Sequence, residues 1–223
     1  MDWTALKLSL WLAALTAAIL LPVGIFLGRL FAWRSFRGKS MLEAAFALPL
    51  VLPPTVLGFY LLAGMGDASL IGQWVKSIFG TSLVFNFSGL LLASLIFNLP
   101  FAIAPMQRAF ESIPVNVRHA AACCGMSRWR TLWRIELPLA WPGILSAMVM
   151  TFAHTMGEFG VVLMVGGSIP GETKTIAVAI YDRVQAFDTD AAGRMSAMLL
   201  LLSLAAISVS YYATNHVSRR RHD

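Results

Sequence analysis

Residues 77–107 run SIFGTSLVFNFSGLLLASLIFNLPFAIAPMQ, 31 positions between Lys76 and Arg108 without a single Asp, Glu, Lys or Arg. A helix rises about 1.5 Å per residue, so roughly 20 apolar residues cross a hydrocarbon core of about 30 Å. Four more charge-free gaps meet that length. They hold 21 residues between Lys7 and Arg29, 23 between Glu43 and Asp67, 21 between Glu136 and Glu158, and 24 between Arg194 and Arg219. In lipid, only helices and closed barrels satisfy every backbone polar group, and these runs lack the alternation of a barrel strand. The chain therefore reads as an all-α integral membrane protein of one domain over 1–223. Its five transmembrane helices are expected at about 8–28, 44–65, 86–107, 139–160 and 195–215.

Composition points the same way. Of 223 residues, 58% are hydrophobic and 13% are charged, whereas a soluble domain carries about one quarter charged residues. Too little polar surface remains to coat a globule in water, which excludes a soluble enzyme, a DNA-binding domain and a disordered tail. The net charge of +6 is accounted for by the tendency of Lys and Arg to stay cytoplasmic, and no nucleic-acid partner is needed. Arg29, Arg34, Arg37 and Lys39 fall on one side with Arg108, Arg118, Arg128, Arg130, Arg134 and the tail Arg219, Arg220 and Arg221; these are 12 of the 17 basic residues. Lys7, Lys76, Lys174, Arg183 and Arg194 fall on the other. The N-terminus is expected outside and the C-terminus in the cytoplasm. The acidic start at Asp2 and four later spans favour a retained first helix over a cleaved signal peptide. Two connections are long: residues 67–85, where Trp74, Lys76 and Phe79 suggest an interfacial amphipathic helix, and residues 166–193, expected as a solvated connection.

The cytoplasmic stretch 112–138 carries the most information. Ser112 and Pro114 suit a helix start. A run of mostly small residues, His119-Ala120-Ala121-Ala122-Cys123-Cys124, follows. Gly125 suits a left-handed helix end, and Ser127 can cap a second helix over Arg128 to Glu136. Pro138 then opens the fourth span. Small residues admit another backbone, and Trp129, Trp133 and the four arginines Arg118, Arg128, Arg130 and Arg134 suit an interface core. A basic loop lying on anionic lipid would carry the same charge. Cys123 and Cys124, adjacent and therefore no disulfide framework, are expected as small packing residues.

Spacing separates the two readings. Ala120 and Ala121 are followed by three residues and Gly125, and nine residues later by Ile135-Glu136-Leu137-Pro138. This resembles the Glu-Ala-Ala, three residues, Gly, nine residues, Ile-x-Leu-Pro pattern of permeases of type I binding-protein-dependent ABC importers, with His119 in place of the acid. Leu48-Pro49-Leu50-Val51-Leu52-Pro53-Pro54-Thr55-Val56-Leu57-Gly58, Gly157-Glu158-Phe159-Gly160 and Ile169-Pro170-Gly171-Glu172-Thr173 look like signatures of the molybdate branch, in order from about Leu8 to Tyr212. Tungstate and sulfate or thiosulfate permeases are close relatives. The resemblance implies a transport subunit that is not itself an enzyme and binds no cofactor. Two copies would form the pore in the bacterial inner membrane, each contacting one ABC ATPase subunit that carries ATP and Mg, with an extracytoplasmic molybdate-binding protein delivering the oxyanion. It also implies an ATPase-coupling role for His119, Ala120, Ala121, Gly125, Ser127, Arg128, Ile135, Leu137 and Pro138.

Pore or gate candidates are residues that break or charge a span. Pro49, Pro53 and Pro54 interrupt the second, and Asn98 with Pro100 and Pro105 the third, where a proline frees carbonyls and marks either a packing kink or a pathway break. Pro53, Pro54, Thr55, Asn98 and Pro100 are the candidates taken from these two spans. His154, Gly157, Glu158 and Gly160 close the fourth. A carboxylate there is costly unless paired or wet, so Glu158 is expected in a structural hydrogen bond or beside an arginine. His154 with Glu158 supplies two ligands without a third, and no metal site is assigned. Gly24 and Gly28 form a GxxxG pattern suited to close packing or to a dimer seam. The rivals are a membrane-embedded enzyme using His154, Glu158 and His119, which the topology separates, and a membrane scaffold, which needs neither pathway prolines nor the spaced motif.

Overall fold

The computed structural model describes residues 1–219; Arg220 and Arg221 of the basic tail lie outside the described residues. All regular structure among the described residues is helical. The order is α1 (Trp3–Trp33), α2 (Lys39–Val51), α3 (Pro54–Met65), α4 (Leu70–Phe79), α5 (Phe87–Glu111), α6 (Val115–Cys123), α7 (Arg128–Thr131), a π-helical turn at Leu132–Glu136, α8 (Leu137–Met156), α9 (Gly160–Gly166), α10 (Ile176–Gln185) and α11 (Thr189–Arg219). Among the described residues four helices are long and apolar enough to cross a membrane, and the bent pair α2–α3 makes a fifth if it counts as one span.

Helices α1, α5 and α8 pack against one another at the centre; α11 lies on α8, α2 on α5, and α3 on α9. Small residues set the central distances. A Cβ on Gly28 would lie 2.9 Å from the backbone nitrogen of Gln107, and one on Gly143 only 2.4 Å from the Cβ of Ala109. The Gly24–Gly28 pair is thus a close-packing seam onto α5 within the chain. Met106 and Phe110 of α5 meet Ile144 and Ala147 of α8 near the α6 end, while Ala5, Leu6 and Ala13 of α1 meet Met156, Ile176 and Met195 at the opposite end. Leu200, Leu201 and Leu204 of α11 stay exposed, as expected of a surface facing hydrocarbon.

Several expectations change in the fold. The second span is two helices bent by 112°, with Leu52 and Pro53 extended at the break. Pro53 and Pro54 bring no N–H, so the helix cannot run through them. The fourth span ends at Met156, and residues 157–159 turn the chain into the short α9. The separate second helix over Arg128 to Glu136 is corrected as well. α7, the π turn and α8 form one continuous 29-residue rod, Arg128–Met156. Pro138 lacks the N–H that an α-helix needs there, and the widened turn, in which the Leu137 N–H bonds the Leu132 carbonyl, absorbs the missing bond instead of ending the helix.

Outside the spans, α4 is the amphipathic helix expected in 67–85, with Ser69 accepting from the Gly72 N–H at 2.9 Å and Trp74 and Phe79 exposed. Asp67 pairs with Lys76, and that hydrogen bond holds the Asp67 carboxyl below its ordinary range. Residues 166–193 are more than a solvated connection. They contain α10, whose Ile176, Val178 and Ala179 are buried, and the Ile176 N–H donates to Ser9 Oγ of α1 at 2.8 Å.

The two glycines of α1 should respond differently to a methyl group. At Gly24 the obstacle is the flexible Met106 Sδ at 2.7 Å, whereas at Gly28 it is backbone. Gly28→Ala is expected to cost about 1–3 kcal/mol through overpacking and Gly24→Ala clearly less, read as thermal denaturation of the purified chain in detergent. Equal losses would contradict the α1–α5 seam.

Candidate functional site

Two polar constellations stand out from the apolar bundle, one at each end of α8. The first is the helix–glycine–helix segment. α6 starts behind Pro114, while Ser112, expected to start it, instead caps the end of α5. Gly125 turns the corner at φ +69°, and a methyl group added there would meet nothing within 4 Å, so conformation and not space reserves the site for glycine. Ser127 Oγ accepts from the Arg130 N–H at 3.3 Å and starts α7. His119, Ala120, Ser127, Arg128 and Pro138 are exposed to differing degrees; Ile135 and Leu137 are half-buried, and Ala121 is buried. Cys123 and Cys124 are exposed, so they do not pack within this chain.

The ionic anchor of this end escaped the sequence reading. Glu136, the unspecified position of Ile-x-Leu-Pro, has a fully buried side chain. Its Oε2 accepts from Arg29 Nε of α1 at 2.5 Å, and its Oε1 accepts from Arg29 Nη2 at 3.3 Å and from Arg118 Nε of α6 at 3.1 Å. The Arg118 guanidinium also lies 4.0 Å from the centre of the Trp33 ring. Arg118 is therefore not one of the arginines offered outward, and Arg29 does more than mark topology. A usable signal was present: a carboxylate set against a span demands a cation, and Arg29 borders the first span.

The second constellation sits where α8 breaks. Asn98, fully buried on α5, donates from Nδ2 to the Ser94 carbonyl at 2.8 Å and to Glu158 Oε1. Ser94 Oγ also donates to Glu158 Oε1, at 3.2 Å, and Thr16 Oγ1 of α1 reaches Ser94 Oγ at 3.2 Å. With both Asn98 amide protons committed, its Oδ1 faces His154 Nδ1 at 3.0 Å, which assigns the proton to Nδ1. The His154 ring stacks on Phe101 with centroids 3.9 Å apart. Glu158 thus holds structural hydrogen bonds and has no arginine partner among the described residues. It lies 3.9 Å from His154 Nδ1, with no third metal-ligating side chain grouped with them among the described residues.

The two helix breaks meet. A Cβ on Gly160, at the start of α9, would touch Pro54 Cβ at 3.0 Å and the Thr55 nitrogen at 3.4 Å, and one on Gly58 would lie 2.9 Å from Met164 Cβ. Pro54, Thr55 and Gly160 are brought together, as are Asn98, His154 and Glu158. Pro100 is separate: it is buried on another face of α5, lining a small cavity with Phe31, Glu43 and Phe46. Pro53 and Gly157 are exposed beside their respective breaks.

Comparison with known proteins places this architecture. Residues 21–222 match the family described as "Binding-protein-dependent transport system inner membrane component", and the chain belongs to that family. It is 43% identical over 94% of its length, and 93% of the relative's, to the molybdenum transport system permease protein ModB of Azotobacter vinelandii. The corresponding protein of Escherichia coli K12 is 36% identical over 98% of this chain and 94% of its own. In three dimensions the chain resembles a subunit of a bacterial ABC transporter involved in alginate import, with a TM-score of 0.76 at 16% identity over 96% of this chain and 78% of the other. That last likeness is one of fold.

Two substitutions test the constellations. Glu136→Gln, which removes the charge that Arg29 and Arg118 share, is expected to cost about 2 kcal/mol, seen as a lower melting temperature in detergent; an unchanged melt would show the network to be incidental. Asn98→Leu leaves Glu158 with Ser94 as its donor and is expected to cost about 1–3 kcal/mol, with faster proteolysis at residues 157–159 as the local readout.

Proposed function

We propose that the chain is the membrane-spanning permease of an ATP-driven importer that carries molybdate across the bacterial inner membrane. The reading is supported above all by 43% identity along nearly the whole chain to a molybdenum permease. The spaced motif from Ala120 to Pro138, folded as a helix, a left-handed glycine and a second helix, supports it further. One permease domain spans residues 1–223, and two copies form the pore. The chain carries no Gly-x4-Gly-Lys-Ser/Thr loop, and ATP with its Mg belongs to two copies of a separate ATPase subunit. An extracytoplasmic binding protein delivers the oxyanion. The N-terminus lies outside, and α6 and the C-terminus face the cytoplasm, following the basic residues.

The mechanism is alternating access driven through α6. His119, Ala120, Gly125 and Ser127 meet the ATPase, Arg128 flanks that contact with its side chain on the groove beside α1, and Ala121, Ile135, Leu137 and Pro138 complete the coupling segment. A shift of α6 passes through Arg118 and Glu136 to α1 and to the rod α7–α8. That rod carries His154 and ends at the break with Gly157 and Glu158, which faces Asn98 and adjoins the contact of Pro54 and Thr55 with Gly160, next to Pro53. Two packings that differ in their ATPase contacts suffice for a two-state pore. His119 supplies no negative charge where related permeases carry Glu, so the ATPase surface opposite it is expected to lack a dependent cation.

Uptake of molybdate, tungstate and sulfate by the reconstituted complex tests the substrate; molybdate uptake should exceed sulfate uptake, and the reverse would move the chain to the sulfate branch. Gly125→Val forces a β-branched residue to positive φ and should abolish ATP-driven uptake while the chain still inserts. Normal uptake in that variant would remove the coupling role.

A further inference from the structure

A groove of about 940 Å³ opens beside the α6 end of α1. Its outer part carries the guanidiniums of Arg29, Arg34, Arg118 and Arg128. Its inner part, toward the middle of the first apolar span, is lined by Pro22, Ile25 and Phe26 of α1. Phe26 is 67% exposed, and this stretch belongs to the charge-free first span. Trp129 and Trp133, in edge contact at 5.7 Å, also line it and are exposed, and indole rings are favoured at a membrane interface.

The charges do not cancel. Glu136 is the carboxylate that pairs with Arg29 and Arg118, while Arg34 and Arg128 have no ion pair among the described residues. Four guanidiniums against one carboxylate leave three positive charges uncompensated. Arg118 uses its Nε on Glu136, so its two terminal nitrogens still carry donors, and a planar fork of donors suits phosphate oxygens.

A ligand for this groove needs an anionic head and an apolar tail on the same axis. We propose that the groove binds an anionic phospholipid of the leaflet on the α6 side, its phosphate among Arg34, Arg118 and Arg128 and an acyl chain along Ile25 and Phe26. Basic pockets between spans at the membrane surface take such head groups. The water-soluble ATPase subunit has no access to the half of the groove that lies within the bilayer. An isologous contact with a second copy centred here would oppose like charges.

Native mass spectrometry of the permease–ATPase complex, released from nanodiscs containing equal phosphatidylglycerol and phosphatidylcholine, tests this. The complex should retain phosphatidylglycerol in preference by roughly tenfold, and Arg34→Gln with Arg128→Gln should bring the two lipids close to parity. If the double variant does not assemble, Arg34→Gln alone, which breaks no ion pair among the described residues, should lower the preference by several-fold. Equal retention of both lipids by the unmodified complex, or an unaltered preference in the variants, overturns the proposal. Displacement by millimolar inorganic phosphate assigns the groove to a soluble anion and also overturns it, as does retention that appears only after the ATPase subunit is removed.

Discussion

One carboxylate organises the motif-bearing end of the molecule. Glu136 is buried where the rod α7–α8 leaves the membrane surface, and both of its oxygens are bound by guanidiniums from elsewhere in the chain. An isolated charge at that depth would be prohibitive, so the position is tenable only while α1 and α6 stay docked. The same bonds join residues 107 and 18 positions apart in sequence. They turn a short surface helix into part of a rigid body with two spans. The stacking of Arg118 on Trp33 adds a second attachment to α1. A segment so held is fixed to both spans, whereas a helix floating on lipid would not be.

At the far end of α8 the logic is reversed. There the backbone is broken at residues 157–159, and the second span is broken at Leu52 and Pro53. Irregular backbone inside a bilayer survives where protein or water meets it, and here the two breaks touch through Pro54 and Gly160, with Pro53 and Gly157 left exposed beside them. Buried side chains fix the fourth-span break from α5. Asn98 spends both amide protons on Ser94 and Glu158 and offers its oxygen to His154, so one amide fixes the direction of a carboxylate and of an imidazole. α8 is thus pinned by charge at one end and by a neutral amide at the other.

Much of this was visible in the residues. The five charge-free runs, the amphipathic helix at 67–85, the glycine corner at Gly125 and the Ser127 cap all follow from local rules of hydropathy and helix ends. Other features needed information that no local window holds. Pro138 looks like a helix start because it cannot donate a hydrogen bond; a π turn upstream supplies an equally good solution, and the rod continues. Arg118 looks like one of four outward arginines, yet it turns in, because its partner lies 18 residues away. The buried face of α10 was missed since its contacts, Ser9 among them, belong to the other end of the chain.

By itself the sequence determined the solvent, the number of apolar runs and the corners between helices. Each of these depends on transfer free energy or backbone conformation summed over neighbouring residues. Only the tertiary structure decided which charge answers which, that two proline- and glycine-marked breaks face one another, and that a basic groove opens beside α1. Those outcomes depend on distances between residues far apart in the chain. Electrostatic and packing energies act over a few ångströms, and composition carries no record of which distant residues come that close.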